Sequence, residues 1–313
     1  MKNKIFLIAG ACGFVPSHVA QFYLEQGAKV IGIDNFITGS RENLTILKKY
    51  DHFSCYEWDL IQGLPPEIKK IKADYVLSLA SPASPIDFKK IPLEIMLVNS
   101  QGTKFLLDYA LEHGSIFLEA STSEVYGDPE IHPQVESYWG NVNPIGVRSC
   151  YDESKRFAEA LTMTYNRRYQ LETRIVRIFN TYGPRMRPDD GRVIPNFINQ
   201  ALAGEPLTVY GDGSQTRSYC FVTDLVAAMD KVLMSSDPMP FNIGNTEELT
   251  ILATAQQIIK ILGSSSKIDF QPLPHDDPRK RRPDLGRVMK IGYQPKVSFE
   301  QGIKQTVEFF KSL

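Results

Sequence analysis

The chain opens on a short, unbroken apolar run, Ile5-Phe6-Leu7-Ile8, and runs of the same kind return at intervals of roughly twenty to sixty residues. Apolar runs without alternation, bounded by glycine, proline or polar clusters, mark strands buried on both faces of a parallel sheet. Strands are predicted on this basis at 5–8, 29–34, 53–59, 75–79, 116–120 and 173–178. Between them the apolar spacing widens to three and four residues, which predicts helices at 17–26, at about 92–113 and at about 150–169. Strand and helix in alternation predict an α/β fold, a doubly wound parallel sheet covered on both faces. Near residue 180 the rhythm loosens, with breaks at Gly183-Pro184, Gly204-Glu205-Pro206 and Gly211-Asp212-Gly213. The expected division is a sheet domain of residues 1–180 and 218–245, and a smaller α/β lobe of residues 181–217 and 246–313.

Composition narrows the function classes. At 42% hydrophobic and 23% charged, the 313 residues make an ordinary globular chain and leave no case for disorder. A net charge of -1 gives no electrostatic footprint for nucleic acid or an anionic membrane, so any anionic ligand must be held by local arginines. Cys12, Cys55, Cys150 and Cys220 are scattered without metal-like spacing, and the five histidines form no HExxH, so no metal site is expected. The cysteines read as free thiols of a reducing compartment. Lys2 and Lys4 before an apolar run resemble a secretion signal, but that run is short and contains a glycine loop, and no stretch approaches the ~18–20 apolar residues of a membrane span. The expectation is a cytoplasmic protein.

The chemistry starts where the first strand ends, in Ala9-Gly10-Ala11-Cys12-Gly13-Phe14-Val15-Pro16. Gly10 and Gly13 let the backbone turn sharply and approach a pyrophosphate at a helix N-terminus, with Phe14 and Val15 opening that helix. Asp34 closes the second strand 24 residues after Gly10, where a carboxylate bonds ribose hydroxyls and repels a 2′-phosphate. NAD is therefore favoured over NADP in a Rossmann-type domain, although Arg41 nearby leaves NADP open. Asn35, Asp59 and Leu60 at neighbouring strand ends, and Ala80 after the fourth strand, complete the candidate cofactor set. Pro16 stands where the fingerprint normally has its third glycine, which predicts a weaker grip on NAD. Farther on, Tyr151 and Lys155 lie four residues apart and so share one helix face. An adjacent ammonium lowers a tyrosine pKa and makes the phenol a general base. Thr122, in the run Ser121-Thr122-Ser123, follows a strand where the ligand crevice opens and can share the substrate hydroxyl. Arg192 and Arg217 are the candidates for a diphosphate. The basic run 279–282 reads, taken alone, as a solvated surface.

Glycine loop, acidic strand end, hydroxyl cluster and YxxxK in this order resemble the extended short-chain dehydrogenase/reductases, which include nucleotide-sugar epimerases, dehydratases and decarboxylases. Within that family the chain is most similar to the UDP-glucuronate decarboxylase branch, through 79–85, Ser121-Thr122-Ser123-Glu124-Val125-Tyr126-Gly127, His132-Pro133-Gln134, the segment 138–146 around Trp139, 177–185, 189–193, 215–220 and 281–284. The resemblance implies NAD-dependent oxidation at C4 of UDP-glucuronate, loss of CO2 from the resulting β-keto acid, and re-reduction to UDP-xylose. It implies Tyr151 as base, Lys155 tuning it and holding the nicotinamide ribose, and Glu124 and Arg281 acting near the carboxylate and C5. Substrate contacts are carried over to Asn180, Arg185, Val193 and Tyr210, the last flanking the uracil. Related dehydratases pair Asp with Glu where this chain has Ser123-Glu124, which suits decarboxylation better than loss of water. Glu119 and Ser78 depart from the family pattern, and the sequence offers no account of Glu119. The resemblance also implies a homodimer through helices that include the Tyr151 helix. Three alternatives stay open: release of a 4-keto-pentose with NADH, 4-epimerisation, and a catalytically silent dinucleotide-binding protein. The choice between uridine and thymidine also stays open.

Overall fold

The computed structural model describes residues 1–272 and 280–312. Arg279, first of the basic run, lies outside the described residues. The central sheet is built from β1 (Ile5–Ala9), β2 (Lys29–Asp34), β3 (Phe53–Glu57), β4 (Tyr75–Ser78), β5 (Ile116–Thr122), β6 (Thr173–Ile178) and β7 (Phe241–Ile243). Its order is β7-β6-β5-β4-β1-β2-β3, parallel throughout. The order reverses between β4 and β1, and that reversal opens a crevice at the strands' C-terminal ends.

Besides shifts of one or two residues at other ends, three differences from expectation have a local reason. The third strand stops at Glu57 because Asp59 accepts from the Ile61 N–H (3.1 Å) and caps a short 3-10 turn, Leu60–Gln62. The first helix, α1 (Phe14–Glu25), starts three residues early and takes Pro16 into its first turn, where a missing N–H breaks no intrahelical bond. The helix expected over 92–113 is divided into Pro92–Leu97, a π turn Val98–Gly102, and Thr103–His113. In the π turn Asn99 points inward and donates to Ser154 (3.0 Å), and Gly102 sits against Leu60.

One face of the sheet packs α1, α2 (Val222–Leu233) and the segment carrying Leu285, Val288 and Tyr293. The other face packs Thr103–His113 and the long helix Ser149–Tyr169. A second apolar cluster joins Phe197, Ile258 and Ile303, on helices Val193–Ala203, Ile251–Leu262 and Phe299–Lys311, with Leu207 and Val209 on the strand Leu207–Tyr210. There the strand Thr216–Ser218 runs antiparallel to Glu248–Thr250 and parallel to Lys280–Arg281. Among the described residues, no helix is long and apolar enough to cross a membrane.

Candidate active site

A cavity of about 980 Å³ occupies the crevice. Gly10, Gly13, Phe14, Val15, Asp34, Asn35, Asp59, Leu60 and Ala80 line its sheet side. Thr122, Glu124, Tyr151 and Lys155 line its middle, and Asn180, Arg185, Arg192, Val193, Tyr210, Arg217 and Arg281 its far side. The sequence-predicted set is thus brought to one place. Among the described residues, no cluster of histidine, cysteine and carboxylate side chains could hold a metal ion.

The sheet side fits a dinucleotide. Gly10 has φ +74°, and a Cβ there would stand 2.8 Å from the Ala80 Cα, so only glycine allows the loop this close to the strand beyond. Gly13 caps α1 without a side chain, leaving the first-turn N–H groups of Phe14 and Val15 with no intrahelical acceptor beside the cavity. Pro16 supplies none. Asp34 is buried and accepts from the N–H groups of Cys12 and Phe36, both at 2.8 Å. Burial raises its carboxyl against those two bonds. Arg41 pairs with Glu57 (Nη1 at 2.9 Å) and stacks 3.6 Å from the Phe36 ring centre, so its charge is already matched.

At the middle, Tyr151 is buried against the Phe88 ring, with centroids 5.0 Å apart. Burial pushes its phenol well above the ordinary tyrosine value; the Thr122 hydrogen bond opposes this, Glu124 adds to it, and Arg192 opposes it. Lys155 differs from expectation. Its ammonium is turned to the Ala120 carbonyl (2.7 Å) and the Glu119 carboxylate (3.1 Å), so the partner expected to lower the Tyr151 value is itself neutralised.

Beyond the tyrosine lies a group of arginines. Glu124 bonds Arg148 and Arg281, the latter at 3.2 Å. Burial raises its carboxyl, but Arg281 and then Arg148 outweigh burial and hold it at about 2. Asp152, buried one residue after Tyr151, is pushed up to about 7 by burial and then by Glu124. Arg217 sits beside Arg281 in strand register and acts on Glu124 through space. Arg192 is bidentate on Asp190, its Nη2 at 2.8 Å. Arg185 touches the cavity edge while its guanidinium donates to Gln21 on α1, away from the arginine group. The Asn180 amide nitrogen is buried with no partner among the described residues, as befits a donor awaiting a ligand. Tyr210 is half exposed at the rim.

Two contributors were missed as individual residues. Arg148 holds Glu124, and its spacing of four from Asp152 on one helix is the signal that could have found it. Gln134 is fully buried and exchanges backbone bonds with Arg282 (2.9 Å) and Asp284 (2.8 Å). Its side-chain oxygen also accepts the Arg282 N–H (2.9 Å), so it clamps the segment that carries Arg281.

Known proteins share this architecture and sequence. The chain is 47% identical to UDP-glucuronic acid decarboxylase 4 of Arabidopsis thaliana over 99% of its own length and 70% of the relative's. It is 45% identical to UDP-glucuronic acid decarboxylase 1 of Danio rerio, covering 98% and 73%. Among solved structures, the UDP-glucuronic acid 4-epimerase of Bacillus cereus, in complex with UDP-glucuronic acid and NAD, superimposes with a TM-score of 0.88 at 27% identity, covering 98% and 99% of the two chains. The Thermotoga maritima UDP-glucose 4-epimerase with UDP-glucose gives a TM-score of 0.89 at 29% identity, covering 98% and 99%. A family model matches residues 6–244, and the chain belongs to the NAD dependent epimerase/dehydratase family.

Proposed function

We propose that this protein is a lyase that decarboxylates UDP-glucuronate to UDP-xylose with NAD. The observation that carries the reading is the grouping of Arg148, Arg217 and Arg281 around Glu124, beside the Tyr151–Thr122 pair. Cations placed next to a general base suit a sugar whose reacting hydroxyl lies close to a carboxylate. Curated relatives at 45–48% identity named for this reaction support the same reading.

Gly10, Gly13, Phe14, Val15 and Asp34 would hold NAD, which when bound would supply oxidation at C4 and the matching reduction at the end. Tyr151 takes the proton of the C4 hydroxyl, and Thr122 holds that hydroxyl in line. The C4 ketone stands β to the C6 carboxylate, so the C5–C6 bond can break, with its electron pair passing into an enolate as CO2 leaves. Arg281 and Arg148 bind the carboxylate before it departs. As the substrate carboxylate draws those cations away from Glu124, the Glu124 carboxyl rises and takes up a proton from solvent; once CO2 has left and the cations return, it passes that proton to C5.

The same proposal includes a homodimer and a cytoplasmic setting. Leu93 (67% exposed), Met96 and Phe157 (51%) form an apolar face on the adjoining helices Pro92–Leu97 and Ser149–Tyr169. Cys12 and Cys55, with Sγ atoms 3.9 Å apart and no disulfide between them, suit a reducing compartment. The test is incubation with UDP-glucuronate and NAD, with products followed by NMR and NADH by absorbance. UDP-xylose without net NADH supports the complete cycle. A UDP-4-keto-pentose with stoichiometric NADH would move the function to an oxidative decarboxylase, the reading that Pro16 favours. A 4-epimer that keeps its carboxylate would overturn decarboxylation.

A further inference from the structure

Strand β5 carries a charge in the middle of the sheet. Glu119 is fully buried, between Ser78 on β4 and Ile175 on β6. Its Oε1 accepts from Lys155 at 3.1 Å, and its Oε2 has no partner among the described residues. An isolated carboxylate is strongly disfavoured there, as is an isolated ammonium, and each persists because it offsets the other.

The groups packed around this pair are otherwise engaged. Glu159, one turn along the helix, is bonded to Arg177 (2.7 Å) and Ser121. Arg192 is bonded to Asp190, and Arg148 and Arg281 to Glu124, with Asp152 4.0 Å from Arg148. Tyr151 lies one turn before Lys155, with Thr122 acting on its hydroxyl. The π turn contributes Asn99, bonded to Ser154, while β4 and β6 contribute the neutral Ser78 and Ile175. Lys155 is therefore the charge that Glu119 meets directly.

We propose that Glu119 is a positioning residue that fixes the Lys155 ammonium at the end of β5 and offsets its charge, so that Tyr151 gives up its proton at higher pH than Lys155 alone would set. An ammonium has three N–H donors. Glu119 and the Ala120 carbonyl take two, and the third is left for the cavity that Lys155 lines. Glu119 thereby fixes both the direction of that donor and the field that the phenol feels. The role in turnover rests on the decarboxylase reading; the coupling of Glu119 to Lys155 does not.

The test uses the whole chain in five forms: wild type, Glu119→Gln, Glu119→Leu, Lys155→Met and Glu119→Leu/Lys155→Met. In Glu119→Gln the acid limb of kcat/KM for UDP-glucuronate is expected to move down by about one pH unit, because a negative charge near the phenolate is gone. A purely structural side chain would change the rate without moving the limb. Melting temperatures form a cycle that needs no activity. Lys155→Met strands a buried carboxylate and should melt several degrees lower, about 4 °C or more, while the double variant recovers most of the loss. An unmoved limb in a folded, active Glu119→Gln, or a double variant no more stable than Lys155→Met, overturns the proposal. If wild type fails to turn over UDP-glucuronate, the decarboxylase reading falls, and the melting cycle still decides whether Glu119 holds Lys155.

Discussion

At Glu124, burial favours the protonated carboxyl while Arg281 and Arg148 favour the carboxylate, and the cations win. A carboxyl with a folded value near 2 and an unfolded value near 4.3 stabilises the fold above the unfolded value. That contribution, on the order of 3 kcal/mol, is lost as pH falls from about 4.3 toward 2. Urea midpoints of wild type and Glu124→Gln are expected to diverge in this window, with wild type gaining stability more steeply as pH rises. Asp152 works in the opposite sense and at higher pH, because its folded value near 7 lies above its unfolded one. Parallel curves between about pH 2 and 4.3 would show that the arginines do not hold Glu124 down. The residues that sequence grouped together were those with a local signal. Tyr151 and Lys155 share a helix face, and Thr122 ends a strand. What sequence did not show was how those residues are paired. Glu119 meets Lys155 across 36 positions of chain, and Glu124 meets Arg281 across 157. No periodicity records such a meeting.

Elements place these side chains, and two of them are open to test. The first turn of α1 offers the N–H groups of Phe14 and Val15 toward the cavity, and Pro16 removes the third. Pro16→Gly restores that donor and opens space for close approach. NAD is expected to bind several-fold tighter by calorimetry, while the added backbone freedom lowers stability by about 0.5–1 kcal/mol. Equal dissociation constants would show that the proline leaves the pyrophosphate site intact. The second element is the segment 280–284, clamped by Gln134. Gln134→Ala removes the acceptor of the Arg282 N–H and the donor to the Ile131 carbonyl (2.9 Å). Leaving buried polar groups unmet costs about 1–3 kcal/mol. With Arg281 less firmly placed, KM for UDP-glucuronate should rise more than kcat falls, whereas an unchanged KM would show that Arg281 keeps its place without the clamp. The six predicted strands were legible because buried parallel strands are unbroken apolar runs. β7 was not, since three residues between Pro240 and Gly244 carry too little pattern. The break in the 92–113 helix was equally silent, because Asn99 turns inward only to meet Ser154 from another helix.

At the scale of the whole molecule, the sheet side and the arginine side of the cavity come from different stretches of chain. The first was legible as a βα alternation with a glycine loop. The second depends on a short strand, Lys280–Arg281, joining Thr216–Ser218 from 64 positions away, a pairing that two and three residues cannot announce. The Tyr151 helix joins the two scales, since it carries the base and also shows Phe157 to solvent, while the helix packed against it exposes Leu93 and Met96. Exposed apolar side chains of this kind, on helices packed against each other, are where a second copy would seat in a symmetric dimer. Light scattering on wild type should then give about twice 35.4 kDa. Phe157→Glu places a charge at that face, and a two-fold interface contains the change twice, once from each copy, so the variant should run as a monomer at micromolar concentration. Because the same helix holds Tyr151 and Lys155, losing the partner should also loosen the site and lower kcat. A monomeric variant with unchanged kcat would show that the dimer serves stability alone, and a wild type that is already monomeric would remove the dimer.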